Sequence, residues 1–405
     1  MATKLRMGIV GLGAASRQVA PGFNDVEGVE LTAACDVRAE AVRQFEEVFG
    51  VEGFTNVEDL CKYGDVDAIY VATPNNLHAD HTVLAADHGK HVIGEKPMAI
   101  TIEQANRMVD AVERNGVRYV QGHSKIYGPA IRLMGDVIAS GRLGRVIQIN
   151  ALQYKGWLRN PWEAASLDPA RGGGVLYRQG PHQMDIIRYV GGGMLKNVRG
   201  IAGRWNPTFD VEGDYSAFME FENGTGVLVS FIGYGHFEGA ELTWGLAEGG
   251  TVRPEQTLIG PRRKPTGPVP TDEFYARDEF STDSLRGRIG RQPQHQDFFG
   301  LNIVSCERGD IRQSPDGIYV YTEDGRSEML VSDMQADRGS AEVRELKESI
   351  DENRPVFPNE GWGRASLEGC LAILESSRTG QQVELKYQVP SPIQPAPLGT
   401  GGHRA

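Results

Sequence analysis

The stretch LRMGIVGLGAASRQVAPGF, residues 5–23, has the pattern of an apolar strand, a glycine-rich turn and the start of a helix. Gly11, Gly13 and Ser16 fill the spacing G-x-G-x-x-(G/A), with serine as the small third residue. The first glycine permits the tight turn, the second lets the backbone approach a pyrophosphate, and the small third residue lets helix and strand pack closely. Because glycine-rich turns are common, the spacing predicts a dinucleotide site only if further strands and helices alternate around it.

The segments that follow supply this alternation. VELTAACD, residues 29–36, is a second strand pattern, and VDAIYVATP, residues 66–74, is another. HVIGEKP, residues 91–97, is a strand that ends in a charged loop and is followed by a helix pattern. We therefore predict a doubly wound, parallel nucleotide-binding domain over residues 1–124.

The second strand ends at Asp36, at about the spacing expected of an acid that accepts a hydrogen bond from the adenosine ribose. Such a carboxylate also repels a 2′-phosphate, so the sequence favours NAD as the cofactor. Arg38 follows two residues later and could weaken this preference, which keeps NADP as a second candidate.

Composition limits the partners and the location of the protein. The chain has 405 residues, enough for two domains, and a formal net charge of −12, which disfavours binding to nucleic acid or to an anionic membrane. No apolar run approaches the roughly 20 residues that span a bilayer, and the N-terminal segment runs directly into a strand pattern. The four cysteines are far apart and lack metal-ligand spacing. We expect a cytoplasmic protein whose partner is a small molecule, neither a nucleic acid nor a membrane.

From about residue 125, strand patterns dominate, as expected of a second α/β domain over residues 125–388 with a mostly antiparallel sheet. The turns at 222–224 and 323–325 have hairpin chemistry. Residues 251–300 are polar and rich in proline and glycine, and we interpret them as a long excursion from the sheet that could depend on an oligomeric neighbour for order. Residues 389–405 have too little apolar content to fold, which predicts a disordered tail.

GGGVLYRQGPHQMDIIRYV, residues 172–190, is interpreted as a helix that carries chemistry. Arg178, His182 and Asp185 are spaced i, i+4 and i+7, which places them on one helical face, although Pro181 can kink the helix. A buried arginine is costly unless an anion answers it. That anion is either Asp185 itself or the carboxylate or phosphate of a ligand.

No metal site is predicted. His78 and His81 are three residues apart, but no third ligand has a matching position, and a helix surface is the simpler interpretation. Glu95, Lys96 and Pro97 differ from them because they follow a strand at its carboxyl end, where ligands bind in open α/β sheets. Lys96 is therefore predicted to act on the substrate.

The segments GIVGLGAASRQ, VATPNNLHADHTVLAADHGKHVIGEKPMA and GGGVLYRQGPHQMD together resemble the Gfo/Idh/MocA family of dinucleotide-dependent oxidoreductases. The resemblance covers roughly residues 5–385. It implies an N-terminal Rossmann domain, a C-terminal α/β domain with a large open antiparallel sheet, and dimers or tetramers built through that sheet. The cofactor-binding residues that it implies are Gly11, Gly13, Ala15, Ser16, Asp36, Arg38, Thr73, Pro74, Asn75, His78, Glu95, Lys96 and Pro97.

Lys96 and His182 match the lysine and the histidine that the family places around the reacting carbon. The family's aspartate, four residues before the histidine, is replaced by Arg178, which reverses the charge. Alcohol oxidation needs a hydride acceptor, here NAD, and a base for the hydroxyl proton, so it does not require that aspartate. Either His182 or Lys96 can be the base, and Lys96 can also stabilise negative charge on the substrate oxygen.

Arg178 offers a rigid fork for a carboxylate, so we predict a substrate with a carboxylate near the oxidised hydroxyl. Tyr177, Asp185 and Arg159 are predicted to complete the substrate site. The segments RGGGVLYRQGPHQMDIIRYVGGG, GLNIVSCERGDIRQSPDGIYVYTEDG and GRASLEGCLAILESSRTG are similar to the branch of the family that contains phthalate 4,5-cis-dihydrodiol dehydrogenases. A phthalate-type cis-dihydrodiol is therefore the leading candidate. A sugar or polyol dehydrogenase and a non-catalytic dinucleotide sensor are the alternatives.

Overall fold

The computed structural model describes residues 4–122, 125–289, 294–331 and 340–394. The strands in this part of the chain are β1 (Leu5–Val10), β2 (Val29–Cys35), β3 (Glu52–Phe54), β4 (Ala68–Val71), β5 (His91–Gly94), β6 (Tyr119–Gln121), β7 (Val146–Tyr154), β8 (Leu195–Gly203), β9 (Asp214–Phe221), β10 (Gly226–Ile232), β11 (Leu301–Cys306), β12 (Gly309–Ser314), β13 (Gly317–Thr322), β14 (Gly325–Leu330) and β15 (Val383–Glu384). The α-helices are α1 (Ala14–Val19), α2 (Ala39–Phe49), α3 (Val57–Tyr63), α4 (His78–Asp87), α5 (Ile102–Asn115), α6 (Pro129–Ala139), α7 (Val175–Arg178), α8 (Gly180–Gly191), α9 (Glu255–Ile259), α10 (Thr271–Tyr275), α11 (Thr282–Arg286), α12 (Ala341–Glu352) and α13 (Glu360–Thr379).

Strands β1 to β6 form a parallel sheet in the order β3-β2-β1-β4-β5-β6. This is the strand order of a doubly wound nucleotide-binding fold, so the prediction for the first domain is confirmed. Gly11 has φ +87, and a Cβ there would lie 2.6 Å from the carbonyl oxygen of Ala72, so a side chain has no room at this turn. The turn lies at the carboxyl ends of the neighbouring strands β1 and β4, where the strand order reverses. Ligands bind at this point in such sheets.

The second sheet has the order β14-β13-β12-β11-β7-β10-β9-β8-β15. Its neighbouring strands are antiparallel except for β7 and β10, which run parallel at the centre. The predicted hairpin turns join β9 to β10 and β13 to β14, and Gly224 and Gly325 adopt positive φ there. The prediction of a large, mostly antiparallel sheet is thus confirmed.

Helices α6, α8 and α13 cover one face of the second sheet. Apolar residues of α6, α8 and α13 join the strand residues that point inward in a single core. Because side chains alternate along a strand, their neighbours point to the other face. There, large apolar side chains are exposed, namely Ile147, Ile201, Phe218 and Leu228.

The predicted helix over residues 172–190 is two helices, α7 and α8, with a break at Gln179. Pro181 has no N–H and cannot donate to the carbonyl of Tyr177, so a continuous helix would lose a hydrogen bond at this point. Arg178 ends one helix and His182 lies in the first turn of the next, which corrects the expectation of a shared helical face.

The excursion at 251–300 was expected to depend on an oligomeric neighbour for order, and this is wrong for its described part. Residues 251–289 include α9, α10 and α11 and return to the nucleotide-binding domain of the same chain. Leu285 is completely buried in the core of that domain, and Phe274 and Phe280 are also buried. Residues 290–293 lie outside the described part.

The C-terminal segments also depart from the predicted boundaries. Helix α12, which the sequence patterns did not indicate, packs Val343 and Leu346 into the core of the nucleotide-binding domain. Residues that follow position 125 in the sequence thus contribute to the core of the nucleotide-binding domain. The predicted domain boundary between residues 124 and 125 stays a prediction. The tail was expected to be disordered from residue 389, but Ser391 donates from its backbone N–H to Gly192 (2.9 Å) and from its hydroxyl to Tyr189 (2.9 Å). Residues 395–405 lie outside the described part.

Within the described ranges, no helix combines the length and the apolar character needed to cross a membrane.

Candidate active site

The glycine-rich turn and the end of β2 form a site that fits a dinucleotide. Gly13 begins α1, and no side chain caps the N–H groups of that helix, which leaves them available to a phosphate. The hydroxyl of Ser16, the small third residue, donates to the carbonyl of Gly11 and ties helix to turn. Ala15 lies in the same first turn. These residues would hold the pyrophosphate of the cofactor.

Asp36 is buried and accepts hydrogen bonds from the backbone N–H of Leu12 (2.7 Å) and from the guanidinium of Arg38 (2.8 and 2.9 Å). Burial opposes ionisation of this carboxyl, but its hydrogen bonds and the charge of Arg38 outweigh burial and lower its pKa. Asp36 is therefore an anion at neutral pH, as a ribose acceptor should be. Because Arg38 is paired with it, the arginine does not present a free charge to a 2′-phosphate.

His78 lies under the cofactor crevice and not at its surface. Its ring nitrogens lie 2.8 Å from the carbonyl oxygen of Pro97 and 2.7 Å from that of Thr73, and the side chain is buried. Both nitrogens are thus engaged by backbone, which corrects the expectation of a cofactor contact. The histidine instead fixes two loops, at Thr73–Pro74 and Lys96–Pro97, relative to each other.

Asn75 and Glu95 are also held by the protein. Asn75 donates from its side chain to the carbonyl of Gly172 (2.8 Å), which links the first domain to the second. Glu95 accepts from the Tyr70 hydroxyl (2.8 Å) and from the backbone N–H of Lys96 (3.0 Å). Its carboxylate therefore anchors the loop that carries Lys96.

The break between α7 and α8 creates an acceptor for Lys96. The carbonyl of Arg178 accepts from the Lys96 ammonium (3.1 Å) and from the Gln179 side chain (2.9 Å). A continuous helix would have used this carbonyl for its own backbone hydrogen bond. The interruption therefore brings the lysine of the first domain to the segment that carries Arg178 and His182.

Lys96 has an environment suited to proton transfer. Burial is the main cause that lowers its pKa to about 8, and the charges of Arg178 and Lys155 act in the same direction. Glu95 and Glu248 oppose the shift. Neutral lysine is therefore well populated at mildly alkaline pH, so Lys96 can accept a proton.

Arg178 is half-buried and lacks an anionic partner in the described part of the chain. Its guanidinium donates to the side-chain oxygen of Asn75 over 3.4 Å, and no described carboxylate lies within the 4.0 Å of an ion pair. Asp185, expected as one possible partner, accepts instead from Trp362 (3.0 Å) and Ser366 (2.7 Å) of α13. The expectation that Asp185 binds substrate is corrected in the same way, because its carboxylate joins helices.

His182 is 5% exposed, and its ring lies against that of Phe299, with centroids 4.8 Å apart. It follows the Gln179 break by one helical turn, and the backbone N–H of His182 donates to the carbonyl of Gln179 (3.2 Å). The His182 ring therefore packs against Phe299, and the residue follows the Arg178 carbonyl that binds Lys96 by one helical turn.

Tyr177 and Arg159 donate to backbone carbonyls of the protein, and their roles in substrate binding stay predictions. The Tyr177 hydroxyl donates to the carbonyl of Ile100 (3.1 Å), on the side of α7 that packs against the nucleotide-binding domain. The Arg159 guanidinium donates to the carbonyls of Tyr234 and Arg263, the latter over 2.8 Å. Backbone acceptors satisfy these groups, so a ligand would have to displace them.

Sequence patterns missed a second lysine near Lys96. The Lys155 ammonium is paired with Glu248 and lies 3.4 Å from the Gln179 side-chain oxygen. Lys155 directly follows β7, and its place at a strand end was the one signal that could have suggested it. The sequence contains no motif for Glu248, which approaches from the segment after β10.

In the described part of the chain, no group of three or more histidine, cysteine, aspartate or glutamate side chains is arranged to hold a metal ion.

A dinucleotide turn, an acid at the predicted ribose position and a lysine of lowered pKa bound to the segment that leads to His182 are the parts of a nicotinamide-dependent oxidoreductase. Residues 5–123 match the oxidoreductase family with an NAD-binding Rossmann fold, and residues 131–238 match the GFO/IDH/MocA C-terminal domain. The chain belongs to the GFO/IDH/MocA family, and it is an NAD-binding oxidoreductase that acts on CH–OH groups. The alternative of a non-catalytic sensor is therefore set aside.

Three relatives illustrate the range of the family. A 1-carboxy-3-chloro-3,4-dihydroxycyclohexa-1,5-diene dehydrogenase from Comamonas testosteroni is 33% identical over 384 residues, which are 92% of this chain and 95% of the relative. The crystal structure of a dehydrogenase from Bordetella bronchiseptica RB50 is 32% identical, covers 95% of this chain and 100% of its own, and has a TM-score of 0.80. An inositol 2-dehydrogenase from Salmonella paratyphi B is 27% identical over 190 residues, 46% of this chain and 54% of the relative.

Proposed function

We propose that the protein oxidises one hydroxyl of a carboxylated cyclic diol with NAD, and that a phthalate-type cis-dihydrodiol, converted to a catechol, is the leading candidate. The observation that carries the proposal is Arg178, a half-buried guanidinium without an ion-pair partner in the described chain. A buried charge of this kind is unfavourable unless an anion from outside the chain answers it. A substrate carboxylate supplies that anion.

The position of Arg178 next to Lys96 gives the substrate an orientation. The backbone carbonyl of Arg178 holds the Lys96 ammonium, and the charge of Arg178 is near enough to lower the pKa of Lys96. A carboxylate bound by the guanidinium therefore places a nearby ring hydroxyl close to Lys96. Lys155 on the Gln179 side is already paired with Glu248, so the Arg178 guanidinium, and not this lysine, answers the substrate carboxylate.

The reaction balances as a secondary alcohol and NAD⁺ giving a ketone, NADH and a proton. The hydroxyl proton passes to neutral Lys96 or to His182 as the C–H hydride leaves the same carbon. With a cyclohexadiene diol, the ketone tautomerises to an aromatic catechol, which draws the oxidation forward. The bound cofactor supplies the hydride acceptor, and the protein supplies the base, the carboxylate anchor and the fixed geometry.

The relative from Comamonas testosteroni supports this substrate class, because its name describes a ring with one carboxyl and two vicinal hydroxyl groups. The inositol 2-dehydrogenase favours a second candidate, a neutral polyol, although the similarity covers less than half of this chain. In that case Arg178 would have no anion to bind in the substrate. The two candidates therefore differ in whether a carboxylate is required.

We also propose a homodimer or homotetramer assembled through the face of the second sheet that lies opposite α6, α8 and α13. Ile147, Ile201, Phe218 and Leu228 lie exposed on four adjacent strands. Contiguous apolar patches of this kind are rare on monomers and mark interfaces. A second copy of the same face would bury them symmetrically.

A substrate panel tests the proposed activity. NADH formation is measured with carboxylated cis-dihydrodiols, with the corresponding neutral carboxamides, and with inositols and sugars. We expect turnover of the acids and little turnover of the matched amides. Preference for neutral polyols would move the assignment to the second candidate.

A further inference from the structure

Residues 271–286, which we name the strap, leave the second domain and lie on the nucleotide-binding domain. Leu285 is completely buried in the core of that domain. Arg286 forms an ion pair with Glu47 of α2 (2.7 Å), and the Arg17 guanidinium donates to the carbonyl of Ser281 (3.4 Å). The strap is thus anchored at its C-terminal half.

Its N-terminal half places three aromatic rings beside the dinucleotide turn. Phe274, Tyr275 and Phe280 contact one another, with centroids 4.9–5.3 Å apart. The Arg38 guanidinium carbon lies 3.7 Å from the centroid of the Tyr275 ring. Because Arg38 is also paired with Asp36, the tyrosine is joined to the residue predicted to bind the adenosine ribose.

The Tyr275 hydroxyl borders the space that a pyrophosphate needs. Among the described residues outside the turn itself, a Cβ built on Gly13 would meet this hydroxyl at 3.6 Å and no other heavy atom within 4 Å. The second glycine of the motif is small so that phosphate can approach the backbone on its open side. The hydroxyl also lies 3.4 Å from a carboxylate oxygen of Glu163, a long contact that a phosphate can replace.

We propose that Tyr275 is a cofactor-binding residue contributed by the strap. Its hydroxyl donates to the diphosphate opposite the Gly11–Gly13 turn, and its ring, stacked on Arg38, closes the adenosine end of the site. Release of NADH then requires the N-terminal half of the strap to withdraw, which makes release slow. The inference concerns the cofactor alone and is independent of which substrate the enzyme oxidises.

NADH binding and release test this role without a substrate. Equilibrium affinity is measured by NADH fluorescence, and the release rate by stopped-flow displacement with excess NAD⁺, for the full-length wild type, Tyr275→Phe and Tyr275→Ala. We expect Tyr275→Phe to weaken NADH binding by about tenfold, as for loss of a hydrogen bond to a charged group. Tyr275→Ala should weaken it further and raise the release rate by a similar factor. Tyr63→Ala is the matched control, because Tyr63 is 74% exposed on α3.

Unchanged affinity in Tyr275→Phe would overturn the proposal, since the hydroxyl would then make no contact with the cofactor. An unchanged release rate in a folded Tyr275→Ala would overturn the closing role of the ring. Tyr275→Phe keeps the ring and its packing, so the test stands even when the alanine variant does not fold. Effects of equal size in Tyr63→Ala would also contradict a specific role for Tyr275.

Discussion

Two features distinguish Lys96 from a solvent-exposed lysine. It is half-buried, and it lies near the cations Arg178 and Lys155, so its pKa is about 8. Burial, together with the charges of Arg178 and Lys155, thus prepares this group to accept a proton. A carboxylate at position 178, which the resemblance to the family leads us to expect, would act in the opposite sense, because it would stabilise the ammonium form.

The pH dependence of catalysis follows from the lowered pKa of Lys96. Only neutral Lys96 accepts a proton, so kcat/KM for oxidation should rise with pH and level off above an apparent pKa of about 8. Arg178→Ala removes a cation that destabilises the ammonium, so the apparent pKa should move upward. Arg178→Lys keeps the charge and should leave the profile near that of the wild type. The measurement is kcat/KM as a function of pH for the three proteins.

Arg43→Ala is a suitable control for this profile, because Arg43 is an exposed arginine on α2. An apparent pKa near 6.5 that does not respond to Arg178 would assign the base to His182 and contradict the role of Lys96. An identical pH profile in all variants would show that the charge of Arg178 does not change the pKa of the base.

Sequence motifs could identify Lys96, His182 and the charge reversal at Arg178, because these residues stand in short local patterns. They could not show that Arg178 and Asp185 have separate surroundings, since that depends on a helix break and on α13. Lys155 was missed for the same reason. It reaches the site through the packing of β7 against segments far away in sequence.

At the scale of elements, the break between α7 and α8 separates two functions that one helix could not combine. Helix α7 ends at Arg178, and its free carbonyl binds Lys96. Helix α8 has Pro181 and His182 in its first turn and then buries Asp185 against Trp362 and Ser366. Pro181 in the sequence indicated a kink, but the new acceptor for Lys96 could be recognised only from the three-dimensional arrangement.

Asp185 should matter for stability and not for substrate binding. Asp185→Ala removes the acceptor of two buried donors, so we expect the free energy of unfolding to fall by about 2–4 kcal/mol. Asp185→Asn retains a side-chain oxygen at the same position and should lose less. Urea unfolding followed by circular dichroism measures both. Equal stability of Asp185→Ala and the wild type, or a selective rise in substrate KM without loss of stability, would contradict this role.

At the scale of the whole molecule, the two sheets are joined by segments that cross between the domains. The strap and α12 each bury apolar residues in the nucleotide-binding core, although the strap lies between β10 and β11 of the second sheet and α12 lies between β14 and β15. Composition could not predict this for residues 251–289, because the few buried residues, such as Phe274 and Leu285, are scattered among polar ones. The alternation of the strands themselves did predict the second sheet.

The exposed apolar side chains on the sheet face opposite α6, α8 and α13 predict that the protein forms oligomers through this face. Phe218→Glu and Leu228→Glu place charges on neighbouring strands β9 and β10, where a second copy would have to bury them. Both variants should dissociate into monomers, as measured by light scattering after size-exclusion chromatography. Tyr63→Glu, on the exposed surface of the other domain, should not change the assembly. A monomeric wild type, or unaltered oligomers in both sheet variants, would contradict an interface on this face.

Binding of a substrate carboxylate by Arg178 can be measured as the preference of the enzyme for an acid over its amide. We would measure kcat/KM for a carboxylated cis-dihydrodiol and for its carboxamide, in the wild type and in Arg178→Ala, together with NADH affinity. We expect the preference for the acid to fall by about tenfold to a hundredfold in Arg178→Ala, while NADH affinity stays unchanged. An acid-to-amide ratio that is the same in both proteins, or a loss confined to NADH binding, would contradict carboxylate binding by Arg178.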